Sequence, residues 1–306
     1  ACYAQASFPT KPIRWVIPYA PGGGTDVIAR PIAVKLSETL GQPIVIENRG
    51  GAGGIVGTME VVSRGGDGHT LLAVTDNVLI ANRYAFKALP YDVDRDLVPI
   101  TLLGAADQML IAHPSLPAND LKELVALARK EGSQLNYGAW GDGSQPQLVY
   151  EMLNSLAGTR LQLVNYKGVA PVMVALAGNE VQLSVISGGT AGPLIQSGKA
   201  KVLAAASTAR VAGYPATPTT TEQGYPDLQS MIWFGLMAPA AMPAASVQKV
   251  VDDLRAIITA PDFRDQQIVA KGWRPMPIGP REFEAAVRDY RGVLEKMFKA
   301  ARVVPQ

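Results

Sequence analysis

Short apolar runs alternate along this chain with stretches in which apolar residues recur every third or fourth position, the pattern of strands and helices in turn. Ile13 to Ile17 reads as a buried strand that Pro18 and Pro21 end. After Gly22-Gly23-Gly24 a helix follows, with Ile28, Ile32, Leu36 and Leu40 on one face and Gly41 and Pro43 beyond its end; Thr25 or Asp26 can cap its start. Pro31 sits inside that helix and predicts a kink or a shortened first turn, because proline has no N–H to bond the turn before it. A second unit of the same kind comes next: strand Ile44 to Glu47, glycine loop Asn48 to Gly54, helix Val56 to Ser63. A third strand, Thr70 to Thr75, follows a turn at Gly66-Asp67-Gly68.

From Leu97 to Leu103 and Met109 to Ala112 the chain reads as crossing into a new unit, opened by the amphipathic helix Leu121 to Lys130. Strand Leu135 to Tyr137, the loop Gly138 to Ser144, helix Gln147 to Ala157, strand Leu161 to Tyr166, helix Ala170 to Ala177, and strands Val181 to Ile186 and Val202 to Ala206 fill that unit. A second crossing at Met231 to Met237 leads to three helical stretches starting near Ser246, Pro261 and Pro280. The alternation predicts α/β architecture with parallel sheets. Residues 7–104 and 233–306 would form a discontinuous first domain, residues 105–232 a second one inserted into it, and the two crossings a natural hinge.

In open α/β sheets ligands sit beyond the carboxyl ends of the strands, where the glycine loops of this chain fall. Gly22 to Asp26 and Arg49 to Gly54 would line the first domain's edge; Trp140 to Ser144, Lys167-Gly168 and Ser187 to Thr190 would line the second's. Glycines let bare N–H groups approach a ligand, and a helix N-terminus adds partial positive charge, so the first loop has the makings of an anion site. Pro-Gly runs also make ordinary turns. Arg49 and Lys167 read equally as solvated charges or as ligand contacts.

Composition narrows the chemistry. The chain has 306 residues, 48% of them hydrophobic, and a net charge of +2 from 28 basic and 26 acidic residues. That length supports two cores, and charges this balanced and dispersed predict no nucleic-acid partner. One cysteine, Cys2, and two histidines, His69 and His113, are too few for a Cys/His metal set, so neither metal nor cofactor is expected. The first loop lacks the Gly-Lys-Ser/Thr ending of a P-loop and the spacing of a dinucleotide fingerprint; Gly141-Asp142-Gly143-Ser144 is not a nucleophile elbow. His69 and His113 flank strands and read as surface or linker residues, so no catalytic set remains. Ala4-x-Ala6 has the small-residue pattern of a signal-peptidase site, which makes residues 1–6 the expected remnant of an export signal and the periplasm the expected location. A disordered tail, or lipid anchoring through Cys2, are the other readings.

The ordered series Phe8-Pro9-Thr10-Lys11-Pro12-Ile13, Pro18 to Asp26, Glu47 to Gly54, Leu89-Pro90-Tyr91-Asp92, Tyr166-Lys167-Gly168, Gly198-Lys199, Pro218-Thr219 and Glu222 to Pro226 resembles the extracytoplasmic solute receptors of tripartite tricarboxylate transporters, the Bug family. The resemblance implies a two-domain periplasmic binding protein of the Venus-flytrap type, with two mainly parallel sheets and a two-crossover hinge, that holds a small mono- or dicarboxylate between its domains. It implies delivery to membrane transporter components or to a sensor, and a monomer with no catalysis. Residue by residue it points to Tyr19, Ala20, Pro21, Gly22, Gly23, Gly24 and Asp26 on one wall. Trp140, Gly141, Ser144, Gln145, Ser187, Gly188, Gly189 and Thr190 would form the other. Trp140 replaces a small hydroxyl residue common in the family, and Gln182 and Ile186 replace common acidic ones; these departures predict a plain carboxylic acid rather than an amino acid, with Trp140 either stacking on an aromatic acid, narrowing the pocket or packing against the hinge. The competing reading is an α/β enzyme acting on a small anionic substrate in the same cleft.

Overall fold

The computed structural model describes residues 8–66, 68–130, 132–211, 213–301, 303 and 305. The expected signal remnant at residues 1–6, Cys2, and Asp67 of the predicted turn lie outside the described residues.

The chain begins β1 (Ile13–Ile17), α1 (Gly24–Leu40), β2 (Ile44–Asn48), α2 (Ile55–Ser63) and β3 (Thr70–Val74). Both predicted strand–glycine loop–helix units are present. α1 runs on through Pro31 as one helix of 17 residues, because Ile28, Ala29, Ile32, Ala33 and Leu36 bury its inner face and hold it to the core. A π-helical turn at Asn77–Ala81 then leads into the short helices α3 (Asn82–Ala85) and α4 (Val93–Asp96). In place of two apolar runs, a single strand follows, β4 (Leu97–Ala112), 16 residues long.

The second lobe holds α5 (Leu121–Ala128), β5 (Asn136–Ala139), α6 (Gln145–Ala157), β6 (Gln162–Asn165), α7 (Val169–Ala177), β7 (Leu183–Ser187), α8 (Gly188–Gln196) and β8 (Lys201–Ala205). β9 (Met231–Pro239) returns the chain to the first lobe, which α9 (Ala244–Thr259), α10 (Pro261–Gln267), β10 (Arg274–Pro275) and α11 (Pro280–Ala301) complete.

β4 belongs to both sheets. Up to Asp107, opposite Met231, it pairs with β9 and β10; from Gln108, opposite Ser187, it pairs with β7 and β8. Away from the crossovers the pairings are parallel, β2–β1–β3 in one lobe and β6–β5–β7 in the other; the crossing strands β4 and β9 run antiparallel to their neighbours. A chain that enters a lobe and returns through it must reverse direction there. Alternation along the far end of β4 sorts two cores: Leu110 and Ala112 face α5 and α6, while Met109 and Ile111 face α7 and α8. Arg14 on β1 ties β2 and α2 together, 2.7 Å from both Glu47 and Glu60, and so fixes the strand that carries the first glycine loop. No helix among the described residues is long and apolar enough to cross a membrane.

Candidate functional site

The first glycine loop delivers the start of α1 to the space between the lobes. Gly23 is the N-cap, with extended backbone, and Gly24, Thr25 and Asp26 form the first turn. No acceptor outside the helix meets the N–H groups of Gly24, Thr25 and Asp26 among the described residues. Those groups are the unfilled donors with which every α-helix begins. The capping expected of Thr25 or Asp26 takes a different form: from inside the first turn, Asp26 Oδ2 reaches back to accept from Gly22 N–H at 3.1 Å. Gly22 can adopt the required φ of +82° because it has no Cβ. Burial alone would push the Asp26 carboxyl up, but Arg30, Gly22 N–H and the Asn48 amide outweigh it and hold Asp26 below the usual carboxylate range. The Asn48 amide also donates to Tyr19 C=O at 3.1 Å, which locks the loop to β2.

Across the gap stand Trp140 at the end of β5, Val169 at the start of α7, and Ile186, Ser187 and Thr190 where β7 runs into α8. The floor comes from the crossing strands and β3: Gln108, Ile232, Phe234 and Thr75. A cavity of about 30 Å³ lies between these walls. The lobes are closed on a slot. Glycines make this approach possible: a Cβ on Gly23 would stand 2.8 Å from Val169 Cγ1, and one on Gly24 would stand 2.8 Å from Thr190 Oγ1 and 3.0 Å from the Phe234 ring. Two hydroxyl pairs line the slot, Tyr19 with Thr75 at 2.7 Å and Ser187 with Thr190 at 2.9 Å. Among the described residues, Asp26 is the sole charged one on the lining.

Of the residues expected from the sequence, Tyr19, Ala20, Gly23, Gly24, Asp26, Trp140, Ser187 and Thr190 line this slot. Pro21 and Gly22 lie exposed at its edge. Gly141 lines an adjoining opening of about 190 Å³ with Gly51 to Gly54, Tyr166 and Lys167, and it approaches Gly53 closely enough that a Cβ would lie 3.3 Å from Gly53 Cα. Gly188 and Gly189 face the packing of α8, against Tyr214 and against Lys271 with Trp273. Ser144 and Gln145 are fully buried at the start of α6, where Gln145 donates to Asp76 and accepts from Ser230 at the crossover. Arg49 is exposed and paired with Glu47 and Glu60. Of the three positions that depart from the family pattern, Trp140 and Ile186 line the slot, while Gln182 accepts from the Asn136 N–H outside it.

Thr75, Gln108, Val169, Ile232 and Phe234 lie outside the loops expected from the sequence, yet all line the slot, as does Thr25 within the Gly22 to Asp26 loop. One of them had a signal: Gln108 is a polar residue within the long, mostly apolar run that becomes β4.

Comparison with known proteins places this architecture. Residues 28–276 match the tripartite tricarboxylate transporter family receptor, TctC. Protein BugT of Bordetella pertussis is 35% identical over 234 residues, covering 76% of this chain and 72% of its own. Among solved structures, the periplasmic binding protein BugD superposes with a TM-score of 0.91 at 32% identity, over 98% of this chain and all of its own. R. palustris Rpa4515 with adipate gives a TM-score of 0.94 at 29% identity, again over 98% of this chain and 100% of its own. The α/β fold is that of a two-domain periplasmic binding protein of the Venus-flytrap type, and the chain belongs to the receptor family of tripartite tricarboxylate transporters, the Bug family.

Proposed function

We propose that this protein works in the periplasm as a monomeric solute receptor that closes on a small carboxylate and presents it to the membrane components of a tripartite tricarboxylate transporter. The carrying observation is the start of α1, whose open N–H groups point a helix's positive end into a slot with no lysine or arginine on its lining. A helix end contributes roughly 0.3–1 kcal/mol to an anion, towards about 2 when partly buried. Each charge-assisted hydrogen bond adds about 1.5–3 kcal/mol. Micromolar binding needs about 8 kcal/mol, so one loop falls short and two facing lobes suffice. The adipate held by Rpa4515 supports the ligand class. On this reading residues 7–104 with 233–306 and residues 105–232 are the units that close, and Tyr19, Ala20, Gly23, Gly24, Trp140, Ser187 and Thr190 contact the acid, with Pro21, Gly22 and Gly141 at the rim. Asp26, tied to Arg30, Asn48 and Gly22, shapes the loop rather than acting as a base, which favours a receptor over an enzyme.

Mass spectrometry of acids released on denaturing the purified protein, followed by a thermal-shift series of mono- and dicarboxylates, tests the reading. A true ligand at about 100 times its dissociation constant adds near 2.7 kcal/mol of stability. Gly23→Val puts a branched side chain where Val169 already stands; it should abolish that ligand-induced shift while the free protein keeps its melting temperature. Unchanged affinity in that variant would remove the first loop from the site, and conversion of a bound acid to product on long incubation would favour the enzyme.

A further inference from the structure

Gln108 lines the slot with a buried side-chain amide that has no partner among the described residues. It stands at the point where β4 passes from one sheet to the other, opposite Ser187. Its backbone is fully used, the N–H donating to Ser230 C=O at 2.9 Å and the C=O accepting from Ala206 N–H at 2.8 Å. The residue is 1% exposed, and neither Nε2 nor Oε1 has a hydrogen-bond partner. Buried amides are nearly always satisfied, so an unsatisfied one facing a ligand slot marks a place where the ligand completes the pairing.

The rest of the lining sets what the ligand must bring. Each hydroxyl pair spends one O–H internally, Tyr19 with Thr75 and Ser187 with Thr190, and keeps one O–H to donate to the ligand, so these groups are satisfied with or without a second polar group on it. The start of α1 takes one carboxylate. A second carboxylate would meet no cation on the lining, would share the slot with Asp26, and could only accept, which leaves Gln108 Oε1 unpaired against a negative charge. A neutral group carrying both a hydrogen and an oxygen pairs with both ends of the amide.

We propose that Gln108 is a specificity-determining residue that selects a monocarboxylate with a neutral donor–acceptor group, a carboxamide or a hydroxyl, over the dicarboxylate of the same length. This rests on the carboxylate reading above and narrows it.

Calorimetric titration of the whole chain tests it with matched sets: succinate, succinamate, 4-hydroxybutyrate and butyrate, then the corresponding five- and six-carbon sets. At the best length the monoamide or hydroxy acid should bind about tenfold more tightly than both the diacid and the plain alkyl acid, the change expected from one satisfied hydrogen-bonding group. Gln108→Met should bring the monoamide down to the affinity that the same variant shows for the alkyl acid, and a native-like far-UV circular dichroism spectrum reports that the variant has folded. A diacid that binds the native protein as tightly as its monoamide overturns the proposal, and that comparison needs no variant. A Met variant that keeps the preference overturns it too. Acids that bind without this preference sink the role of Gln108 alone, whereas binding of no acid in any set sinks the carboxylate reading with it.

Discussion

Asp76 follows the last residue but one of the slot's first-lobe lining and is one of the most deeply buried carboxyls in the protein, 1% exposed. Burial pushes its pKa up to about 7, against the opposing pull of the Gln145 amide and of its own and Trp233's N–H. An unfolded aspartate titrates near 3.9, so from about pH 4 to 7 the folded state holds a proton that the unfolded state has released. Stability from this group is therefore complete below pH 4, is lost as pH rises to about 7, and is level above. Asp76→Asn cannot titrate, and its urea-unfolding free energy should fall less between pH 4 and 7 than the native protein's, leaving the variant at least as stable at pH 8. An unchanged slope would show that Asp76 is not the group responsible. Glu47, pulled down to about 2 chiefly by Arg14, acts with the opposite sign and only as pH falls through the acid range, so the two effects separate. Gln108 shows the limit of reading single residues: a glutamine among apolar neighbours is visible in the linear chain, but the emptiness of its hydrogen bonds is a property of what folds around it.

The element scale is where periodicity did most. α1, α2, α5, α7, α9 and the ends of most strands follow from apolar spacing and from the glycines and prolines that interrupt it. α8 is not legible in the sequence, because Ser187-Gly188-Gly189-Thr190 has loop composition; in the fold its two glycines let the helix pack closely against Tyr214 and against Lys271 with Trp273. α1 kept its course through Pro31, burial outweighing one lost backbone bond. That loss still has a cost. Pro31→Ala restores the N–H that should bond Val27 C=O and should raise stability, by up to about 3 kcal/mol, seen as a higher urea midpoint. A lower midpoint would mean that the ring itself packs usefully on the helix surface. α11 also does more than close the first lobe: it packs on α6 of the second, with Phe298 filling the space that the absent Cβ of Gly143 leaves and Tyr290 within 3.4 Å of Met231 C=O at the crossover.

At the scale of the molecule, two antiparallel strands, β4 and β9, carry the connection between lobes, and the glycine faces meet across the slot. Ala20 lies against Gly168, and Gly53 against Gly141. Small contacts of this kind close without interlocking, so parting the glycine faces should cost little where α11 does not bridge to α6. Small-angle X-ray scattering of the ligand-free protein should give a larger radius of gyration than that of the closed structure described here, and a bound carboxylate should reduce it; a radius indifferent to ligand would rule out closure as the response. The linear chain already dictates the alternation of strand and helix, the two crossings and the positions of the glycine loops, because periodicity, turn chemistry and the missing side chain of glycine act locally. Which donors remain unpaired, that Gln145 serves the crossover while Gln108 faces the slot, and that the lining carries no cation are decided only when residues far apart in the chain are packed together, since hydrogen-bond satisfaction and burial are sums over neighbours that sequence order does not reveal.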